Sequence, residues 1–256
     1  MFHTDQQPAH VLHARAYRET SLLLEVFSRD HGRVGLIARG VRGPRGQARR
    51  ALLQPLQPVL LSWRGRGELM TLAAVEAAGA SLALHGDGLL SAFYLNELLL
   101  RLLPRGEPHT DLFWRYAACL GQMASPVAQI GWELRRFERD LLTMVGYGLD
   151  LGVEAHDDER LDPQARYRFD PETGPHRIAT SQANTFTAGG ISGAALIALR
   201  EDQMPDAAGQ RELRRLMRGV LLHHLGGRPL HAWQVLGDIN DGLNLRDASA
   251  AADDQA

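Results

Sequence analysis

The sequence predicts an α+β fold in which a small N-terminal β-barrel precedes a larger helical domain. Up to about residue 80, apolar residues recur with a period near two, the period of a half-buried strand. Beyond that point they recur with a period near 3.6, which indicates helices that face a core. Glycine-rich turns separate the short apolar segments of the first part. We therefore expect one domain at residues 1–80 and a second at residues 81–243.

Five short segments of the first domain have strand character, with turn residues at 30–32 and 64–67. Residues 40–57, after the third segment, are too long and too basic for a tight turn and have room for a helical turn at 48–53. Five strands with such an insertion are typical of the OB barrel, a fold used widely for oligonucleotides. Strand counting alone leaves a small SH3-like barrel open. The five segments are 11–17, 21–28, 33–40, 58–63 and 68–76.

The second domain opens with three helical patterns. The first, at 91–103, ends before Pro104, and the second, at 111–123, has Thr110 as its expected N-cap. The third is expected to start with Ser125 as cap and Pro126 in its first turn. Arginines 135, 136 and 139 fall off its predicted apolar stripe, which comprises Ile130, Leu134, Phe137, Leu141 and Val145.

Residues 150–190 are the least regular part of the chain and predict a small loop-rich lobe with a hairpin that turns at 171–174. Two further helices are expected at 192–200 and 207–225, the second with arginines mostly opposite its apolar face. The polar, small residues at 244–256 predict a disordered tail.

Composition restricts the class of protein. The 256 residues are 45% hydrophobic and 23% charged, which is ordinary for a globular chain, and no apolar run has the length of a membrane span. The first ten residues lack a basic start and an apolar stretch, so we expect no secretory signal and a cytoplasmic protein. Cys119 is the single cysteine, which excludes an intrachain disulfide and a cysteine zinc site.

Catalytic signatures are absent where they would be easiest to recognise. The chain has no GxSxG elbow, no phosphate-binding GxxxxGK[ST] loop and no HExxH. His156 to Glu159 and the pair His223 and His224 offer metal-ligand types, but adjacent residues rarely converge on one ion. We expect no enzyme activity, no metal and no cofactor.

Charge is distributed unevenly along the chain. The net charge is −2, yet residues 1–80 carry 11 Arg against 6 acidic residues, and residues 81–256 carry 17 Arg against 24. Between Asp30 and Glu68 there is no acidic residue at all. A basic N-terminal surface on an acidic body is the pattern of a protein that binds a polyanion. The eight arginines of this interval are Arg33, Arg39, Arg42, Arg45, Arg49, Arg50, Arg64 and Arg66.

Because these arginines belong to adjoining hairpins and one loop of the same small barrel, we predict that they converge on a DNA-binding face. Phosphate contacts would supply affinity, and Tyr17 and Trp63 would supply platforms on which bases stack. Three alternatives stay open: a solvated basic loop without a ligand, an OB-fold RNA-binding protein, and an enzyme that uses the barrel as a substrate adaptor.

Several stretches resemble the RecO family of bacterial DNA repair proteins. They begin with the hairpin VLHARAYRETSLLLEVFSRDHGRVGLIARGVRG and continue with LLQPLQPVLLSWRGRGE and YLNELLLRLL. The later ones are RRFERDLLTMVGYGLDL and LGGRPLHAW, so the likeness covers nearly the whole chain. It implies an OB domain, a helical domain and a third lobe that holds a four-cysteine zinc site in many relatives. No cysteine follows Gly148, so the chain resembles the metal-free branch, with Tyr167 and Phe169 packing the lobe.

The resemblance also implies partners. Family members bind single-stranded and double-stranded DNA, anneal complementary strands and recognise the acidic C-terminal tail of the single-strand binding protein. With RecR, and in some settings RecF, they load the RecA recombinase at the nucleoid. Arg135 and Arg136 match a position that serves the tail in metal-free relatives. Relatives can have a lysine near Asn184 that is missing here.

Overall fold

The computed structural model describes residues 2–126, 129–156, 159–178 and 190–233, and all structural statements below refer to them. The chain forms two compact units. One comprises residues 1–108 together with the segment that starts at Pro229, and the other comprises residues 109–228. In the structure, the first helix after the barrel belongs to the same unit as the barrel. The expected domain division at residue 80 stays a prediction.

The first unit contains a closed five-stranded barrel with the strand order β1-β2-β3-β5-β4. β3 and β5 pair in parallel at Gly35 to Ile37, whereas the other neighbours are antiparallel and β1 closes the barrel against β4. This is the topology of the OB fold, so that prediction is confirmed. The strands are β1 Phe2–Tyr17, β2 Ser21–Ser28, β3 Gly32–Ala38, β4 Pro58–Gly65 and β5 Leu69–Ala77.

β1 is longer than the sequence predicts. Its first half is polar and contains Pro8, so it lacks the apolar alternation from which a strand is inferred. It nevertheless pairs with β4, from His10 opposite Pro58 to Phe2 opposite Gly65. The backbone N–H of Gln6 donates to Ser62 Oγ at 3.1 Å where the pairing register shifts. The ladder with β4 therefore holds this segment in place without a buried apolar face.

Helix α2, Gly86–Leu102, packs against β1, and the packing includes a buried polar contact. The β1–β2 register shifts between Val11 and His13, which marks a bulge at Leu12. The Asn96 side chain donates from Nδ2 to the Leu12 carbonyl at 2.8 Å, and both residues are buried. Asn96 therefore satisfies a carbonyl at an irregularity of the strand ladder.

The insertion after β3 contains a 3₁₀ turn, Pro44–Gly46, and helix α1, Gln47–Leu52, which confirms the predicted helical turn. A second segment, 104–107, returns to the barrel after α2. The Gly106 N–H donates to the Arg33 carbonyl at 3.0 Å. Gly32 (φ +61°) lies so close to this segment that a Cβ there would be 1.8 Å from the Glu107 carbonyl oxygen. The 104–107 segment therefore covers the beginning of β3.

The second unit contains four helices and a three-stranded sheet of order β7-β6-β8. The predicted hairpin at 171–174 is confirmed as the turn between β6 and β7. Buried Tyr167 donates its hydroxyl to Glu154 at 2.8 Å, and Phe169 is half-buried. The elements are α3 Thr110–Met123, α4 Ile130–Met144, β6 Arg166–Asp170, β7 Gly174–Arg177, β8 Ile191–Ser192, α5 Gly193–Arg200 and α6 Ala207–His224.

Two predicted helix starts are wrong. His109, not Thr110, occupies the N-cap of α3, and its side chain makes no capping hydrogen bond. α4 begins at Ile130 after Gln129, because the chain is still turning at Ser125 and Pro126. The disordered tail predicted at 244–256 and the position of Asn184 lie outside the described residues.

The buried face of α4 also differs from the predicted stripe. Arg135 and Glu138 are buried, whereas Leu134 is only half-buried. Arg135, which was expected to fall off the apolar stripe, is therefore buried together with Glu138, and the two side chains form an ion pair with each other. No helix in the described part of the chain combines the length and apolar character needed to cross a membrane.

We expect Asn96→Ala to lower the free energy of unfolding by roughly 1–3 kcal/mol, because the buried Leu12 carbonyl loses its side-chain donor. Urea unfolding followed by circular dichroism measures this. Gln47→Ala, which removes an exposed amide from α1 in the same unit, should change stability by less than about 0.5 kcal/mol. Equal effects from the two substitutions would show that the Asn96 contact does not stabilise the unit.

Candidate nucleic-acid interface

Most of the basic side chains expected to bind DNA reach the surface of the barrel unit. Arg49 is half-buried and donates to the Ala73 carbonyl at 3.5 Å. The exposed ones are Arg39, Arg42, Arg45, Arg50, Arg64 and Arg66. Of these, only Arg42 makes a side-chain hydrogen bond or ion pair within the described residues. Five guanidinium groups are therefore available to an external anion.

Several of these groups meet at one end of the barrel. Tyr17 pairs with Ser21 and Leu22 pairs with Ala38, so the β1–β2 turn lies beside the segment that leaves β3. Arg42 connects the turn to this segment through two hydrogen bonds. Its backbone N–H donates to the Thr20 carbonyl at 2.9 Å, and its Nη1 donates to the Arg18 carbonyl at 3.0 Å. We name this group the turn cluster, which comprises Tyr17, Arg18, Arg39, Arg42 and Arg45.

Sequence reasoning missed Arg15 and Arg18, both of which are exposed. A signal was present, because the two arginines flank Tyr17 directly before a turn. Tyr17 itself is half-buried, and the Arg18 guanidinium carbon lies 5.4 Å from the centroid of its ring. An aromatic ring beside a cation at a solvent-exposed turn is a suitable platform for a base.

Arg64 and Arg66, which we name the hairpin pair, lie elsewhere. Arg64 pairs with His3 near the beginning of β1, whereas Tyr17 is the last residue of that strand. The two groups of arginines are therefore at opposite ends of β1 and do not form the single cluster that the sequence suggested.

Arg33 is an internal contact. Its Nη1 donates to the Leu100 carbonyl at 2.5 Å, and Leu100 belongs to the last turn of α2, where carbonyls lack helical partners. Burial lowers the pKa of the Arg33 guanidinium, and the neighbouring Glu25 carboxylate opposes that shift. The side chain is half-buried and holds the C-terminus of α2 against β3, and its expected role in DNA binding stays a prediction.

The outer face of β2 and β3, which often binds oligonucleotides in OB folds, is partly covered here. Arg105, from the segment after α2, forms an ion pair with Glu25 and a longer one with Glu68 at 3.5 Å. A Cβ on Gly35 would be 3.4 Å from the Arg105 guanidinium carbon, so the guanidinium rests on this face. The face therefore carries matched charges and is a poorer phosphate surface than the turn cluster.

Trp63 is 1% exposed and belongs to the barrel core, with its ring edge-to-face against His31 at 5.3 Å. The expectation that it stacks on bases is wrong, because the indole would have to leave the core to reach one. Phe27 is also fully buried.

In the second unit, the two arginines expected to hold a peptide carboxylate differ in exposure. Arg135 is 8% exposed and bonded to Glu138, so it is not placed to reach an external ligand. Arg136 lines a cavity of about 220 Å³, donates to Asp202 at 2.5 Å and contacts Glu133 at 3.3 Å. The hydrogen bond that Arg136 donates to the Asp202 carboxylate raises the pKa of Arg136 further.

The same cavity contains Arg115, which sequence reasoning missed, and it also borders Cys119 and Phe137. Arg115 donates from Nε to Asp140 at 2.5 Å. Burial raises the pKa of the Cys119 thiol to about 12, so the cysteine stays protonated and unreactive. A small cavity with two guanidinium groups and an aromatic wall is chemically suited to a terminal carboxylate beside an apolar side chain.

Across the described ranges, no three His, Cys, Asp or Glu side chains form a group that could hold a metal ion. His156 is exposed, but its neighbours at 157 and 158 lie outside those ranges. His224 stacks on Tyr147 with 4.3 Å between ring centroids, and burial is the largest cause that lowers its pKa.

Comparison with known proteins covers both units. Residues 1–80 match the family described as Recombination protein O N terminal, and residues 85–234 match Recombination protein O C terminal. The chain is 52% identical over 229 residues to the DNA repair protein RecO of Xanthomonas euvesicatoria pv. vesicatoria strain 85-10, which covers 90% of this chain and 95% of the relative. It is 49% identical to the protein of the same name from Stenotrophomonas maltophilia strain K279a, with the same coverage.

We expect Arg33→Ala to destabilise the barrel unit by roughly 1.5–3 kcal/mol, because it removes a charge-assisted hydrogen bond from a part-buried site. Arg39→Ala, at an exposed position without a partner, should stay within about 0.5 kcal/mol of the wild type. Urea unfolding and binding of a labelled single-stranded oligonucleotide are measured on both variants. If Arg33→Ala kept wild-type stability and lost DNA affinity, Arg33 would be a DNA contact after all.

Proposed function

The chain belongs to the RecO family of DNA repair and recombination proteins, and from that premise we propose that it binds single-stranded and double-stranded DNA mainly through the turn cluster. The observation that carries the proposal is the set of exposed arginines without acidic partners at one end of the barrel. Arg49 and Arg50 extend this set along α1. The hairpin pair gives a further contact for longer strands.

Arginines that neutralise phosphates give affinity that depends on salt and is nearly independent of sequence. Tyr17 adds stacking, which every base can provide through its π-face. The fixed position of Arg42 between the β1–β2 turn and the insertion supports this proposal, because it holds Arg39 and Arg45 close to Tyr17 before DNA arrives. A preorganised surface binds with a smaller entropic cost.

We further propose that the cavity at Arg115 and Arg136 receives the C-terminal tail of the single-strand binding protein. Arginine forms strong bonds to carboxylates, and Phe137 offers an apolar wall for the adjacent side chain. Binding both DNA and this tail brings the protein to coated strands, where it anneals complements and, with RecR and in some settings RecF, helps load RecA. Action on chromosomal DNA would place it at the nucleoid.

No bond is made or broken in this mechanism, so no catalytic residue is assigned. Both relatives are DNA repair proteins by name, which supports DNA over RNA as the ligand. An RNA-binding OB protein remains the second candidate, and competition between RNA and DNA oligonucleotides of equal length distinguishes them. An enzyme with an OB substrate adaptor would show turnover of ATP or DNA by the purified protein.

We expect the triple variant Arg39→Gln/Arg45→Gln/Arg50→Gln to bind single strands more weakly and to flatten the slope of log affinity against log salt by about 2, or roughly 0.7 per lost phosphate contact. Titration of labelled oligonucleotides of different sequence at several salt concentrations measures this. The loss should be equal for all sequences, because phosphate contacts carry no base information.

A charge-matched triple variant controls for net charge: Arg160→Gln/Arg200→Gln/Arg228→Gln, which we call the distal control, removes three exposed charges from the second unit. It should retain the wild-type slope. Arg64→Gln/Arg66→Gln tests the hairpin pair separately. If the first triple variant were folded and kept the wild-type affinity and slope, the turn cluster would not be the DNA surface.

We expect Arg136→Ala to weaken binding of a peptide with the sequence of the cognate tail roughly tenfold or more, because one charge-assisted bond is lost. Fluorescence anisotropy of the labelled peptide measures this. Arg135→Ala should act differently, since it leaves Glu138 buried without its ion-pair partner and costs roughly 3–5 kcal/mol of stability. Unchanged peptide affinity in folded Arg136→Ala would remove the cavity from the proposal.

A further inference from the structure

Helix α6 carries a row of exposed arginines that lies outside the proposed DNA surface. Its buried face comprises Leu213, Met217, Val220 and Leu221. Four exposed arginines lie on the opposite side at intervals of three, one and three residues, which places them along one face of the helix. We name them the α6 stripe: Arg211, Arg214, Arg215 and Arg218.

The stripe is not neutralised by its own helix. Glu212 is the one acidic residue of α6, and its carboxylate accepts from the Ser192 N–H at 2.9 Å, from Ser192 Oγ at 2.7 Å and from Arg166 at 2.8 Å. It is therefore committed to β8 and β6. In the part of the chain that the structure describes, Arg211, Arg214 and Arg215 form no ion pair. Like charges three and four residues apart cost about 0.2–0.5 kcal/mol per pair, so this arrangement does not serve helix stability.

The dimensions fit a phosphodiester backbone. Arg211 and Arg218 are separated by about 10 Å along the helix axis, a length over which one DNA strand in a duplex presents about three phosphates. Arg168 on β6 is also exposed and lines one groove with Arg215, which extends the basic surface beyond the helix. The same groove also has an apolar wall, which includes Phe169. Charge repeated along the helix matches the repeated phosphates of a nucleic acid better than the single terminal carboxylate of a peptide tail.

We propose that the α6 stripe is a second binding surface for a phosphate backbone, so that one chain holds two DNA strands, one on each compact unit. This inference rests on the proposed function, because the turn cluster supplies the first site. Two strands held by one protein are brought to a high effective concentration, which accelerates their pairing.

The test uses the full-length protein and two non-complementary oligothymidylates, one with a donor and one with an acceptor fluorophore. Energy transfer then reports two strands on one particle without base pairing. In Arg211→Gln/Arg214→Gln/Arg215→Gln, affinity for the second strand should fall roughly tenfold to a hundredfold at 0.1 M salt, which is the contribution of about three phosphate contacts. Affinity for the first strand, measured with limiting DNA, should stay within about twofold, since the turn cluster is untouched.

Two matched variants sharpen the result. The distal control should keep the wild-type energy transfer, and replacement of the same three stripe residues by Lys should restore most of it, because the charge is retained. The melting temperature confirms that each variant is folded.

The proposal is overturned if the wild type binds one strand but never two, or if the folded Gln variant bridges strands as well as the wild type. It is also overturned if that variant loses binding of the acidic tail peptide and keeps second-strand affinity, since the stripe would then serve a protein ligand. Failure of the proposed function has a different signature, namely that the wild type binds no DNA or that the turn-cluster variant binds the first strand normally.

Discussion

The contact between Asn96 and the Leu12 carbonyl determines how the barrel unit is built. β1 must bulge to pair with both β2 and β4, and the bulge leaves a carbonyl that an amide on α2 satisfies. Fixing α2 there also fixes its last turn, where Arg33 binds the Leu100 carbonyl, and the 104–107 segment that follows. The buried hydrogen bond of Asn96 therefore helps to place the 104–107 segment over the beginning of β3, where it covers part of the barrel surface.

The number of arginines does not by itself identify a binding surface, because most of these residues are committed within the fold. In the second unit, Asp140 binds Arg115 and Arg139, and Asp202 binds Arg136 and Arg139. Such networks stabilise the contacts between helices. The turn cluster and the α6 stripe differ from them, because Arg18, Arg39 and Arg45 of the first and Arg211, Arg214 and Arg215 of the second form no ion pair within the described residues.

The sequence predicted the barrel strands and most helices well, since their apolar periods reflect burial directly. It failed for the first half of β1, where pairing alone holds a polar segment in place. The burial of Trp63 could have been predicted, because Val59, Leu61 and Trp63 alternate along one strand and so share its inner face. The burial of Arg135 was less evident, since a local ion pair with Glu138 allows a charged residue on a core face.

The roles of Arg33 and Arg42 could not be predicted from sequence, because both bind backbone carbonyls that are distant in the chain or belong to a turn. Any arginine in a basic interval has the same local pattern whether it faces solvent or a carbonyl. Residues 81–256 carry more acidic residues than arginines, so a group of exposed arginines outside the barrel stands against a net acidic background. The exposed arginines on one face of α6 concentrate positive charge within about 10 Å against that background, and this is the distribution that a phosphate backbone recognises.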